Sequence, residues 1–429
     1  MIDLKLPKSK NEIRRIQSER KKIAFANAQR APFYRGKLDG VRADRLDDPE
    51  EWAKIPIIDK ETLRSIPADE FMAQFCIAKP SEIAEYWRSG GATGVPLFYP
   101  RTFVDQEYAY LQLARCWVCA GVEPGDVCHM SFPLGVHPAG QLWARTANLA
   151  DVGVIWVGSG AGMPSLNQLE LIQKLKPTMW MGMPSYGLHL ANLAEAQGVD
   201  LSQSSVRKVM VGAEALSKAK REKLERMWGA EVNDLFGMTE AGILGSDSRV
   251  HEGFHVQTDQ AFFEVVDEKT GLPVPDGTEG LMVITPLRTN NATPFLRWSS
   301  GDIVTMHEAS SLDGPFSVFP VMRHGHRTAG FFKIRGINMN HAEFEDFVFR
   351  MPEVNDFRVE LVTESDREIL RLMIEVKRGT DPDPVAKKVG EQVRHTFEVR
   401  PDVEVLPIGT LAKQFESSVK APRFVDKRV

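Results

Sequence analysis

Ser89-Gly90-Gly91-Ala92-Thr93-Gly94 places three glycines and two hydroxyl side chains within six residues, a composition suited to gripping an anion. Without Cβ atoms, glycines let backbone N–H groups converge on phosphate oxygens, and Ser89 and Thr93 can add hydroxyl donors. A Walker loop would need Gly-Lys-Ser/Thr feeding a helix. Here Val95 and Pro96 follow Gly94, and the apolar run Leu97-Phe98-Tyr99 reads as a strand. On these residues alone a phosphate loop of another kind and a plain hairpin turn both stay open.

Other segments carry chemistry of the same ambiguous kind. Gly212-Ala213-Glu214 follows a predicted strand over residues 206–211, and ligands of open α/β sheets collect at strand carboxyl ends. An acid early in a helix reads equally well there. Asp234-Leu235-Phe236-Gly237-Met238-Thr239-Glu240 combines two carboxylates, an aromatic ring and a hydroxyl, or is an ordinary turn entering a helix. Gly301-Asp302 offers a carboxylate able to accept two hydrogen bonds, or simply turns. His137 lies in the breaker-rich stretch Ser131–Gln141, where a lone histidine is commonly structural or solvated. Cys116-Trp-Val-Cys119 has the spacing of half a zinc site or a redox couple. It falls inside a helix-like run, and no second pair follows at metal-binding spacing, so buried thiols and no structural zinc are expected.

The elements that must position these groups follow from periodicity. Residues 11–31 carry Ile13, Ile16, Ile23 and Ala24 among charged residues, the pattern of a surface helix that Pro32 ends. Helical and extended segments alternate from Thr102 to Val157, which predicts α/β layering with parallel strands. Short alternating strands over 253–285, with Thr270-Gly and Pro275-Asp-Gly turns, predict an antiparallel β subdomain. The last hundred residues read helix, strand, strand, helix, strand, a compact α+β unit that Asn340 opens as a helix cap. The 429 residues, 43% hydrophobic, can bury a large core in two or three domains. A balance of 53 basic against 58 acidic side chains, net −5, argues against nucleic acid and polybasic membrane binding. No apolar run approaches a membrane span, and the start has no secretory core, so the cytoplasm is expected.

Taken together, the motifs resemble those of the phenylacetate-CoA ligase family of adenylate-forming enzymes, in order and spacing, from Pro32 to Arg428. Ser-Gly-Gly-Ala-Thr-Gly-Val-Pro is similar to that family's Ser-Ser-Gly-Thr-Thr-Gly-Lys-Pro loop, with Gly90, Ala92 and Val95 as departures that remove two hydroxyls and one charge. Ala31–Leu38 and Trp52–Lys60 resemble the opening segments. Met183-Pro184-Ser-Tyr, Gly212-Ala-Glu and Phe236-Gly-Met-Thr-Glu240 resemble three internal motifs. Arg297–Asp302, Arg327–Asn340 and Gly409–Arg428 resemble three further ones.

The resemblance implies an α/β fold: a body of residues 1–326 with layered sheets and a β subdomain, a hinge at 327–330, and a mobile α+β lid of 331–429. It implies that a carboxylate and ATP give acyl-AMP and pyrophosphate, and that coenzyme A then displaces AMP. The ATP site it implies comprises Ser89, Gly90, Gly91, Thr93, Gly94, Gly212, Ala213, Glu214, Asp234, Leu235, Phe236, Gly237, Met238, Thr239, Asp302, Arg327 and Arg335. Lys420, Thr239 and Glu240 would be catalytic, Glu240 holding Mg2+, with Lys413 the alternative lysine. His137, Pro184, Ala213 and Gly237 would line the pocket for a small aromatic acid, Gly336 would meet coenzyme A, and a homodimer is expected. Ala329 and Gly330 replace two acids, the first of which is the family's hinge residue. These departures keep open an amide-forming ligase and a catalytically weak binding homologue.

Overall fold

The first helix, Lys10–Arg30, starts where Ser9 accepts a hydrogen bond from the Glu12 amide and ends against Pro32. The computed structural model describes residues 3–88, 97–327, 331–334, 337–364, 367–416 and 423–428. Residue proximity divides the chain into two units that interleave in sequence. Met1–Asp126, Leu134–Gly153 and Asn233–Thr328 form one; Val127–Pro133, Val154–Val232 and Ala329–Val429 form the other.

In the first unit the strands Ile83–Arg88 and Phe98–Thr102 pair antiparallel, Trp87 opposite Tyr99 and Glu85 opposite Arg101. The helix Phe103–Cys119 follows at once, because Thr102 and Asp105 cap it reciprocally. An antiparallel sheet runs in the spatial order Ala261–Val266, Gly280–Pro286, Asp302–His307, Val321–Arg327, Phe254–Val256, Gly242–Ser246, Glu231–Met238. Its apolar face gathers Leu244, Val256, Phe263, Met282, Ile284 and Met322. Each large side chain so buried contributes about 1.5–3 kcal/mol. Buried Arg297 ties this sheet to the amino-terminal segment by donating to the carbonyls of Ala53, Ile55 and Gly271 and pairing with Glu264.

In the second unit, Val127–Met130, Met179–Gly182 and Lys208–Gly212 form the expected parallel pairs. The latter two are buried along their whole length, which is why they read as unbroken apolar runs. The helices Ser165–Leu175, Pro184–Ala196 and Lys218–Trp228 alternate with them. The carboxyl-terminal part follows the expected order: the helix His341–Phe349 capped by Asn340, the antiparallel pair Val354–Glu364 and Arg367–Val376, the helix Pro382–Phe397, and Asp402–Leu406. The sequence reading lacked the antiparallel pair Phe331–Ile334 and Ile337–Asn340 and the strand Phe424–Asp426, which pairs parallel with Val359–Leu361. The three residues Phe424–Asp426 are too few to show a period; only the partner strand makes them extended. No helix among the described residues is long and apolar enough to cross a membrane.

Candidate active site

The Asp234–Glu240 segment is a strand leading into a hairpin, not a turn into a helix: Glu231–Met238 pairs antiparallel with Gly242–Ser246. A Cβ at Gly237 would lie 2.6 Å from the Gly242 carbonyl oxygen, so only glycine allows this close pairing. Phe236 packs its ring on Phe254, centroids 5.6 Å apart. The carbonyl of Asp234 accepts from the Asp247 amide at 2.8 Å. The motif's two ends are thus fixed by neighbouring backbone, and its turn carries Thr239 and Glu240.

That turn is clamped from several sides. The Tyr99 hydroxyl donates to Glu240 Oε1 at 3.2 Å, and Arg101 Nη2 donates to the Thr239 carbonyl at 2.5 Å. Arg101 Nη1 reaches the Thr289 carbonyl at 2.7 Å, while the Thr289 hydroxyl donates to the Ala241 carbonyl at 3.0 Å. Glu240 is only partly exposed. Burial pushes its carboxyl above the ordinary range, against the opposing pull of Tyr99, Lys60 and Arg101. Tyr99 and Arg101 were absent from the sequence-derived site. Their alternation on one strand, two residues apart, was the available signal.

Asp302 opens the strand Asp302–His307 and is buried. One carboxylate oxygen accepts from the Ser300 hydroxyl, and the other lies 2.9 Å from His324 Nε2. The backbone of Arg327 pairs opposite Asp302. His137 precedes the helix Pro138–Leu149 without capping it by its side chain. The neighbouring Val136 carbonyl accepts from the Arg88 amide at 3.0 Å, so this loop borders the end of the hairpin strand that leads to residue 89.

Within the second unit, Gly212 ends its strand and Ala213 adopts φ 67°, a left-handed conformation costing a residue with a Cβ roughly 1–2 kcal/mol. Glu214 lies before the helix that Ser217 caps, not inside it. Both its carboxylate oxygens engage Ser185, through the amide at 3.1 Å and the hydroxyl at 2.8 Å. The structure therefore joins Glu214 to the turn at Pro184, thirty residues away in sequence. Buried Arg423, near the end of the chain, pairs with Asp356 at 2.8 Å. Burial works against its charge, but Asp356, Glu345 and Glu214 outweigh it and hold the guanidinium above its ordinary range.

Ser89, Gly90, Gly91, Thr93, Gly94, Arg335, Gly336 and Lys420 lie outside the described residues, as does the side chain of Arg327. Cys116 and Cys119 are buried, and burial pushes the Cys116 thiol up to about 12, so it stays protonated and accepts a 3.2 Å hydrogen bond from Gln257.

A layered α/β architecture with an antiparallel subdomain and an α+β carboxyl-terminal part is the framework of adenylate-forming enzymes. The sequence profile of the family described as AMP-binding enzyme matches residues 46–286, and the chain belongs to that family. It is 28% identical over 397 residues to the phenylacetate-coenzyme A ligase of Thermus thermophilus, covering 90% of this chain and 85% of the relative. To the phenylacetate-coenzyme A ligase of Escherichia coli it is 27% identical over 437 residues, covering 98% and 96%. Its fold is similar to a crystal structure of 2-hydroxyisobutyryl-CoA ligase in the postadenylation state in complex with 2-HIB-AMP. That match has a TM-score of 0.84 and 21% identity, over 97% of this chain and 89% of the other.

Proposed function

We propose that this chain is an AMP-forming carboxylate–CoA ligase acting on a small aromatic acid. A substrate carboxylate oxygen attacks the α-phosphorus of ATP, pyrophosphate leaves, and the acyl-AMP then passes its acyl group to the coenzyme A thiol as AMP departs. The observation that carries this reading is the clamp on the Thr239–Glu240 turn, which fixes the Thr239 carbonyl and the Glu240 carboxylate beside the hairpin strand following the glycine-rich residues. Similarity along nearly the whole chain to phenylacetate-coenzyme A ligases supports both the reaction and the aromatic acid.

The residues divide the work. Residues 89–94 hold the β- and γ-phosphates. Phe236 offers a ring for adenine to stack on, the Asp302 carboxylate accepts from the ribose hydroxyls, and Arg327 and Arg335 complete the nucleotide site. Gly212, Ala213 and Glu214 form a wall for adenine and acyl group, and Pro184, Gly237 and His137 line the acyl pocket. Gly336 meets coenzyme A. Thr239 and Lys420 meet charge developing at the α-phosphate, where preorganised donors contribute most to rate. A single carboxylate at Glu240 fits Mg2+, which is commonly held by one or two carboxylates plus substrate phosphates; when bound, it neutralises the leaving pyrophosphate. Residues 331–429 act as a lid turning about 327–330, in a cytoplasmic homodimer.

Carboxylate-dependent exchange of pyrophosphate into ATP, screened across aromatic acids, tests the reading. Exchange with at least one acid, followed by thioester formation only when coenzyme A is supplied, is expected. Exchange that completes with an amine and not with the thiol would reassign the chain to amide ligases. No exchange with any acid would leave a nucleotide-binding homologue.

A further inference from the structure

The sequence departs from its resembling family inside the glycine-rich loop, where Val95 stands in place of a lysine and Ala92 in place of a threonine. The strand that follows, Phe98–Thr102, holds the Thr239–Glu240 turn. Tyr99 and Arg101 project to one side of Phe98–Thr102, both fully buried at 1% and 0% exposure. A buried guanidinium is costly where its donors lack partners; among the described residues the Arg101 Nε has none, while both terminal nitrogens do. Arg101 lies over the Trp87 ring at 4.6 Å, and its two terminal nitrogens reach the carbonyls of Thr239 and Thr289. Thr289 in turn holds the Ala241 carbonyl through its hydroxyl. The carbonyls on both sides of Glu240 are therefore fixed by one connected set of bonds, and the carboxylate itself receives the Tyr99 hydroxyl. The Tyr99 ring is held in turn by Phe71 and Phe295, so its hydroxyl has little freedom to wander.

We propose that Tyr99 and Arg101 are positioning residues for the metal–nucleotide site, holding the Glu240 carboxylate and the backbone around it so that a divalent cation carrying the nucleotide's phosphates meets a preformed ligand. This rests on the reading of Glu240 given above. A carboxylate already oriented loses less freedom on binding, and groups that orient a metal ligand typically change metal affinity about 10- to 100-fold when removed. Arginine suits the task because its planar fork donates to two carbonyls while its face stacks on an indole; lysine supplies a point charge.

The test is calorimetric titration of ATP into the full chain with Mg2+ and with EDTA, on the unmodified protein and on Tyr99→Phe, Arg101→Met and Arg101→Lys. Tyr99→Phe removes only the hydroxyl and preserves the ring packing. It is expected to cut the strengthening of ATP binding by Mg2+ about tenfold while changing metal-free binding by less than about threefold. Arg101→Met is expected to do at least as much, and Arg101→Lys to recover part of the loss. Pyrophosphate exchange should fall in step with the Mg2+ effect, while thioester formation from supplied acyl-AMP stays within about threefold. Should Arg101→Met fail to fold, Tyr99→Phe decides alone. Full Mg2+ enhancement in the folded variants overturns the positioning role and leaves the ligase reading standing. Absence of any Mg2+ effect in the unmodified chain removes the metal role of Glu240, and the positioning role falls with it.

Discussion

Glu240 is a carboxyl whose proton affinity is raised by burial and only partly restored by Tyr99, Lys60 and Arg101. Only its ionised form can coordinate a hard cation, so protonation competes with metal binding. As pH falls through its raised pKa, Mg2+-dependent ATP binding should weaken, beginning above the ordinary glutamate range of about 4.3. Glu240→Gln should remove that acid step and lower adenylation by at least about a hundredfold, the size of a single electrostatic contribution in an active site. Near-normal pyrophosphate exchange in that variant would discard the assignment. His137 belongs to the same scale: as the proposed pocket residue its imidazole can hydrogen-bond a polar group on the acid. The acid accepted should then carry a hydroxyl, carboxyl or similar group. His137→Phe should shift preference toward unsubstituted acids, and an unchanged ratio of exchange rates would show that His137 does not read the substrate.

The helix Lys218–Trp228 packs its buried face on the carboxyl-terminal part of its own unit. Lys220 pairs with Glu345, the Ala219 amide donates to Asp346 at 3.0 Å, and Lys223 donates to the Val354 carbonyl at 2.7 Å and to that of Asn355. Burial pushes Lys223 down to about 7, with Arg423 reinforcing the shift and Asp356 opposing it. In the unfolded chain a lysine titrates near about 10.4. Between these values the unfolded chain binds the extra proton, so this lysine makes stability rise with pH. Above about 8.5 unfolded cysteines begin to ionise while buried Cys116 and Cys119 do not, which acts in the opposite direction. The lysine effect should therefore show between pH about 7 and about 8.5, as a rising denaturation midpoint that is flatter in Lys223→Met. Equal slopes in the two proteins would place its origin elsewhere.

At the scale of the whole molecule, the two half-reactions should separate. Lys420→Ala should reduce acyl-AMP formation by on the order of a hundredfold or more, yet leave thioester formation from supplied acyl-AMP largely intact, because only the first step develops phosphate charge. Equal damage to both steps would indicate a wrong residue or misfolding. Lys413 is exposed in the short helix Leu411–Glu416, and Lys413→Ala is the control. If it alone abolished adenylation, the register of the tail would be wrong. A homodimer should appear in light scattering at twice the chain mass of 48.1 kDa; the mass of a single chain at working concentration would contradict it.

The order of the motifs, the helix from Thr102, the Asn340 cap and the buried parallel strands were legible in the sequence, because capping and burial are encoded within a few residues, whereas the first helix, read from Asn11 by its apolar period, begins at Lys10 behind a Ser9 cap that the period does not show. The strand Phe424–Asp426 was not legible, since its conformation depends on a partner some sixty-five residues away. Nor was the hairpin form of Asp234–Glu240, where pairing with Gly242–Ser246 overrides the helix a Met-Thr-Glu run could have begun. Above all, the partners of Glu240 could not be read along the chain. Tyr99 and Arg101 are 141 and 138 residues from the groups they hold. Sequence set which side chains share a face of that strand. Only the tertiary packing decided that this face meets the Thr239–Glu240 turn, because side-chain direction at such separation is fixed by how the strands and turns stack.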